Sequence, residues 1–446
     1  MNFLSRERTV APAGFNRWLV PPAAIAVHMC IGQVYGFSVF NKPLMAELGA
    51  PVSSIQWAYQ IALMMLGISA AVFGKWVERS GPRKTMVAAC ACFCGGLLLT
   101  ALGVQIKSLA LVLFGYGFVG GIGLGLGYIS PVSTLVKWFP DRPGMATGMA
   151  IMGFGGGALI GSPLGQELMK HFSNGANTGA AQSFVTMAGL YTIFMLWGAI
   201  MVRVPAADWK PTGYVPKEHN NHMITTASVA VDTAWKTPQF WFLWLVLCMN
   251  VSAGIGLLGR ASDMFQDMFL ATANDDAQKL ATNVAIGAGF AGLLSLSNLA
   301  GRFLWSSVSD LTGRKLVYCI YFILGAVLYA LLPWAQQTQS KVLFVCLAAG
   351  IISMYGGGFA TIPAYLKDMF GTYQVGAIHG RLITAWSVAA VIGPLLINKL
   401  YDARVAAGVP KAEAYNGTFF VMCGLLLIGL ISNLLVRPVH SKYHVP

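Results

Sequence analysis

Apolar and polar positions alternate along this chain in long blocks rather than at short periods. A helix that crosses a hydrocarbon core needs about 20 mostly apolar residues. Twelve such runs lie near 18–40, 55–77, 84–105, 109–136, 144–168, 181–203, 240–260, 281–305, 315–335, 341–365, 378–399 and 416–436. The polar blocks between them are short, and the longest, 205–239, has the length and content of a linker. The pattern predicts an all-α membrane protein with twelve transmembrane helices in the lipid bilayer and no soluble domain between them.

The second half of the pattern repeats the first. FGKWVERSGPRKT (73–85) returns as WSSVSDLTGRKLV (305–317), which sets Asp310 232 positions after Glu78. Pro131 and Pro363 share that offset, and Pro163 and Pro394 differ from it by one. The offset predicts two pseudo-symmetric six-helix bundles, 1–204 and 240–446, joined by the cytoplasmic linker 205–239. Internal repeats with a site at mid-membrane are the architecture of secondary transporters. The repeated acid–glycine–basic motifs hold Glu78, Arg79 and Arg83 in one half and Asp310 and Arg314 in the other. Such residues can bridge neighbouring helix ends in one state and release them in another, as a cytoplasmic gate; a purely topological use of the bases is the alternative. Gly153, Gly157, Gly161 and Gly165 recur every four residues, as do Gly117, Gly121 and Gly125. Each series predicts a small-residue face for close helix packing.

Composition agrees: 56% of residues are hydrophobic and 10% charged, against about 25% charged in soluble domains. The net charge of +13 raises the question of nucleic acid. Lys and Arg, however, favour the expected inside segments by about two to one, the positive-inside bias. This places both termini in the cytoplasm, and no loop carries the dense basic run of a nucleic-acid site. The eight cysteines all fall inside apolar runs without zinc-ligand spacing, so they are expected to pack rather than to bind metal. No cofactor is expected. The first apolar run is too long for a cleavable signal core. Short loops fit a bacterial inner membrane, and a monomer is expected.

One residue breaks the apolar pattern. Arg302 lies eight residues before Asp310, ~12 Å at ~1.5 Å per residue, which is near the middle of a ~30 Å core. A charge there costs at least ~2.5–3.5 kcal/mol and ordinarily faces a wet cavity with a functional partner. No Asp or Glu stands deep in any run, so the expected partner is an anionic substrate gripped by the planar guanidinium fork; snorkelling to the cytoplasm is the alternative. Arg381 opens helix 11 as an anion attractor or an interfacial anchor. His28, ten residues into helix 1, is a proton-coupling candidate because His titrates near neutrality, or else a helix–helix contact. Gln33, Tyr35, Tyr59, Tyr128, Asn250, Asn298 and Tyr355 supply uncharged polar groups for the same cavity. Tyr128 and Tyr355 hold similar places in the two repeats.

The paired motifs resemble those of the major facilitator superfamily. GYISPVSTLVKWFPDRPGMATGMAIMGFGGGALIG (127–161), TPQFWFLW (237–244) and GRFLWSSVSDLTGRK (301–315) resemble its oxalate/formate antiporter branch, which is related to monocarboxylate transporters. In that branch the helix-8 arginine binds the substrate carboxylate, and Arg302 stands at the matching place. The branch's oxalate carriers add a helix-11 lysine where this chain has Trp386. Animal monocarboxylate transporters carry an acid one turn before the arginine, where this chain has neutral Asn298.

The expectation is a carrier of small organic anions working by alternating access, with formate, pyruvate or lactate as substrates, since one fixed cation suits one carboxylate. An oxalate/formate-type exchanger and a non-transporting carboxylate sensor are the alternatives. Coupling is expected to a counter-anion rather than to a proton. An enzyme is not expected, because no nucleophile, acid pair or metal cluster lies within the helices.

Overall fold

The computed structural model of the chain describes residues 3–174, 177–207, 209–213, 223–225, 227–270 and 277–445. Part of the expected linker, 214–222 with 208 and 226, lies outside the described residues. Twelve long helices follow one another: α1 (Arg17–Leu48), α2 (Ser53–Ser80), α3 (Pro82–Gln105), α4 (Leu109–Trp138), α5 (Pro143–Phe172), α6 (Ala180–Met201), α7 (Pro238–Gly259), α8 (Ala277–Thr312), α9 (Arg314–Gln337), α10 (Lys341–Phe370), α11 (Val375–Ala406) and α12 (Lys411–Leu435). Among the described residues, eleven of the twelve are long and apolar enough for a membrane span. At 36 residues α8 is the longest.

Two departures from regular winding occur. Residues Gly32–Phe40 of α1 form a 3-10 stretch, and Leu113–Val119 of α4 a π stretch. Proline opens α3, α5 and α7, where its missing N–H leaves no extra unpaired donor. Val72, Ile193, Phe194, Leu304 and Ile431 are each more than half exposed. Such a surface would be a liability in water and matches hydrocarbon.

The chain divides into two compact units. The first comprises Met1–Phe240, Pro363–Ser387 and Arg437–Pro446, and the second Trp241–Ile362 and Val388–Val436. In the first unit both glycine faces lie where the fourfold spacing placed them. Cβ atoms at Gly153, Gly161 and Gly165 would press on His28, Gln33 and Phe40 of α1, and one at Gly157 would meet the backbone of Gly32. Those at Gly117, Gly121 and Gly125 would press on Ile61, Met65 and Ser69 of α2. The early part of α11 lies along α2 in a seam of small residues. Gly67 faces Ser387, whose Oγ donates to Leu63 O at 2.9 Å, Gly380 faces Ala70, and Gly74 faces Ala377. Large side chains would hold these backbones apart; glycine lets them touch. A parallel bridge between Val10 and Val204 ties the N-terminal segment to the chain after α6.

In the second unit, Gly254, Gly301, Gly356 and Gly358 mark close approaches of α7, α8 and α10. A short helix absent from the apolar runs, Ala261–Phe269, follows α7. It buries Met264, Phe265, Met268 and Phe269 on one side. Phe265 stacks near Phe290 of α8, and Phe269 near Phe344 of α10. Nine residues are too few for a spanning run, so a search for long apolar blocks passes over it.

Candidate functional site

The expected site residues fall into two groups, one in each unit. In the second unit the group centres on Arg302, which is fully buried. Its Nε donates to Asn298 Oδ1 at 3.1 Å, one turn back on α8. Its guanidinium carbon sits 5.1 Å from the centre of the Phe359 ring on α10, a cation–π contact that strengthens with desolvation. Asn298 lies against Gly356 and Asn250 against Gly358, so the glycines of α10 admit amides from two neighbouring helices. Tyr355 is buried and packs on Gly254 of α7. A small void of about 10 Å³, room for little more than one water, lies beside Asn250, Tyr329 and Tyr355. Among the described residues, Asn250 Oδ1 is buried with no hydrogen-bond partner. Buried polar atoms of that kind call for an explanation such as a ligand or water.

In the first unit the group is aromatic. His28 stacks on Tyr128 at 5.4 Å with the rings 9° from parallel. Phe154 sits edge-on to His28, Tyr35, Tyr128 and Trp386. His379 lies tilted against Tyr128, at 5.6 Å between ring centres. His28 Nδ1 is 2.6 Å from Ala150 O and Nε2 is 3.1 Å from Tyr128 O. Both partners are acceptors, so a neutral imidazole, with one N–H, serves one of them, and a ring carrying both protons serves both. Gln33 Oε1 accepts from Tyr116 at 3.2 Å, while its Nε2 is buried with no partner among the described residues. Tyr59 stands apart from this cluster, stacked 6.4 Å from Phe37.

Three further expected positions have these surroundings. The donors of Arg381 are directed to the linker rather than to the aromatic cluster: Nη2 to Asp232 Oδ1 at 2.7 Å and Nη1 to Val231 O at 2.9 Å. Arg83, expected at a gate, is buried and donates to Phe3 O at 3.0 Å and Ile200 O at 3.3 Å. Ile200 belongs to the last turn of α6, where carbonyls lack intrahelical partners and a cation is favoured. Arg79 is exposed.

The two acids expected at the gate are bonded in place. Glu78 Oε2 pairs with Lys137 at 2.6 Å, and Oε1 accepts from Ser133 Oγ at 2.9 Å and from the Gly376 backbone N–H at 3.0 Å. The carboxylate therefore joins α2 to α4 and to the first turn of α11, where a negative charge suits the helix dipole. A Cβ at Gly376 would come within 2.5 Å of that oxygen, so the contact requires glycine. Asp310 pairs with Arg314 at 2.5 Å, and Arg314 also donates to Ser309 Oγ.

Phe154 was not among the expected lining, hidden in the sequence by the glycines around it; His379, nearer the helix start, reads in the sequence as a weaker proton-relay candidate than His28.

The sequence model of the Major Facilitator Superfamily matches residues 23–270 and 256–446. The oxalate:formate antiporter of Oxalobacter formigenes is 26% identical over 85% of this chain and 83% of its own. Apicoplast pyruvate carrier 1 of Toxoplasma gondii is 25% identical over 77% and 68%. A crystal structure of FucP, a transporter of the same superfamily in the outward conformation, aligns at a TM-score of 0.68 with 13% identity, covering 95% of this chain and all of that one; it shares the fold. The chain is therefore an integral, multi-pass membrane transporter rather than an enzyme, and it belongs to the major facilitator superfamily.

Proposed function

We propose that this transporter carries small organic anions by alternating access, most directly short monocarboxylates such as formate, pyruvate or lactate, and that Arg302 binds the carboxylate. The observation that carries the proposal is the full burial of the Arg302 guanidinium in the middle of α8, oriented by a neutral amide and an aromatic face. Asn298, Asn250 and Tyr355 add polar contacts for the anion. Arg302 is always charged, so it suits one carboxylate without needing a proton. The antiporter and pyruvate-carrier relatives support a carboxylate. Glu78 and Asp310 act as gate acids. The chain sits in a bacterial inner membrane with both termini in the cytoplasm and works as a monomer.

Counterflow of labelled pyruvate, formate and oxalate in proteoliposomes tests the substrate. Exchange of pyruvate or formate above that of oxalate is expected. Arg302→Ala and Arg302→Lys should each reduce counterflow to background while the protein still inserts and stays monodisperse. Near-normal uptake by either variant removes the site assignment.

Proton coupling through His28 is the second reading, favoured by the two carbonyl acceptors around its ring. A pH gradient that drives uphill uptake in the wild type, and is lost in His28→Gln, would establish it over anion exchange.

A further inference from the structure

In the first unit, the chain between α6 and α7 does more than connect them. The backbone N–H of Thr225 donates to Asp368 O at 2.8 Å, and that of Val229 to Phe370 O at 2.9 Å, at the end of α10. Gly371 follows with φ +77°, and a Cβ there would collide with Ala227 and Ser228. The Val231 N–H donates to Gln374 Oε1 at 2.9 Å, next to the start of α11. Asp232 then uses both oxygens. Oδ1 takes Arg381 of α11, Oδ2 takes Lys75 of α2, and the Arg381 guanidinium lies 5.2 Å over the Trp235 ring. Backbone, amide side chain and carboxylate thus make successive attachments to three helices.

We propose that residues 229–235 form a strap that fastens the first turns of α11 to α2, with Asp232 as its buckle, and that unfastening it accompanies opening of the α2–α11 seam. The strap acts at the same end of the seam as Glu78, but its acid comes from the linker and lies outside the repeated motif. The proposal rests on the transport function of the superfamily and not on the carboxylate assignment.

A single exposed ion pair contributes little. Here one carboxylate spans two helices, so its loss removes both ties at once. Hydrogen bonds from Lys75 and then Arg381 hold the Asp232 carboxyl below the usual carboxylate range. Its contribution is therefore complete above the ordinary value of about 3.9 and is lost only as pH falls through the lowered one. Near neutrality the strap responds to salt rather than to pH, because the pair is exposed and screened.

Ser387, whose Oγ is buried in the seam, gives the readout. Ser387→Cys in the full chain, labelled in inside-out vesicles with a membrane-impermeant maleimide, reports opening once labelling of the native cysteines is subtracted. Adding Asp232→Asn is expected to raise the labelling rate about five-fold, equivalent to about 1 kcal/mol at ~1.4 kcal/mol per factor of ten. Asp232→Glu should restore the starting rate. Salt near 1 M, where the screening length is ~3 Å, should speed labelling with Asp232 present and leave Asp232→Asn unchanged. Unaltered labelling in both Asp232→Asn and Lys75→Met, or a salt response that survives Asp232→Asn, overturns the strap. The labelling needs no substrate, so its failure is distinct from a failed counterflow experiment.

Discussion

Gly81, between α2 and α3, and Gly313, between α8 and α9, take nearly the same backbone conformation: φ 81° and ψ 165° in one, φ 89° and ψ 147° in the other. That region is essentially closed to side chains. The two glycines share the offset of Glu78 and Asp310, so the repeat extends to the dihedral angles of its turns. Two residues on, the side chains differ but their targets correspond. Arg83 donates to Ile200 O at the end of α6, and Lys315 donates to Leu434 O at 2.9 Å and Val436 O at 2.8 Å at the end of α12. Each turn therefore supplies a cation to the open carbonyls of the last helix of its half. The difference is burial: Arg83 is 3% exposed, while the Lys315 contacts reach solvent. The motif thus divides into an acid that links helices and a base that caps one.

Five substitutions sharpen or break this comparison. Glu78→Gln removes a charge that accepts three hydrogen bonds. At ~1.5–3 kcal/mol for charge-assisted bonds, uptake in proteoliposomes should fall about ten-fold or more; unchanged uptake would leave the acid without a mechanical role. Gly81→Ala and Gly313→Ala each force a side chain into the glycine-only region, at about 1–3 kcal/mol. Gly81→Ala should lower Tm more, because its Cβ would also crowd Arg6 at 3.1 Å while Gly313 faces open space. Equal shifts would mean that strain alone matters. Arg83→Met leaves two part-buried carbonyls unserved and should cost about 1–2 kcal/mol, seen as a lower Tm in detergent. Lys315→Met, at a wetter helix end, should cost only about 0.3–1 kcal/mol, and a loss as large as that of Arg83→Met would break the burial argument.

Much of the fold is legible because hydrocarbon constrains every spanning segment. The apolar runs, the glycine faces of α4 and α5, and the cation inside α8 are each written locally, within a few turns. What escapes is written at a distance. The pairing of Arg381 with Asp232, 149 residues away in the chain, cannot be read locally, and neither can the contact of Arg83 with the end of α6. The short helix Ala261–Phe269 is missed because its buried face is too brief to form a run. For the site, Arg302 is conspicuous because a buried guanidinium is costly, whereas Phe154 carries no such mark: an aromatic among glycines reads as packing.

The tighter winding of residues Gly32–Phe40 in α1 has a geometric consequence for the lining. Successive side chains there are set about 120° apart rather than the ~100° of an α-helix. Relaxation of this stretch to α geometry would rotate Phe40 by about 160° relative to Gly32, and Tyr35 by about 60°. It would also shorten the helix by roughly 0.5 Å per residue. Tyr35 can therefore be re-aimed by a change of pitch that also draws the two ends of the stretch together.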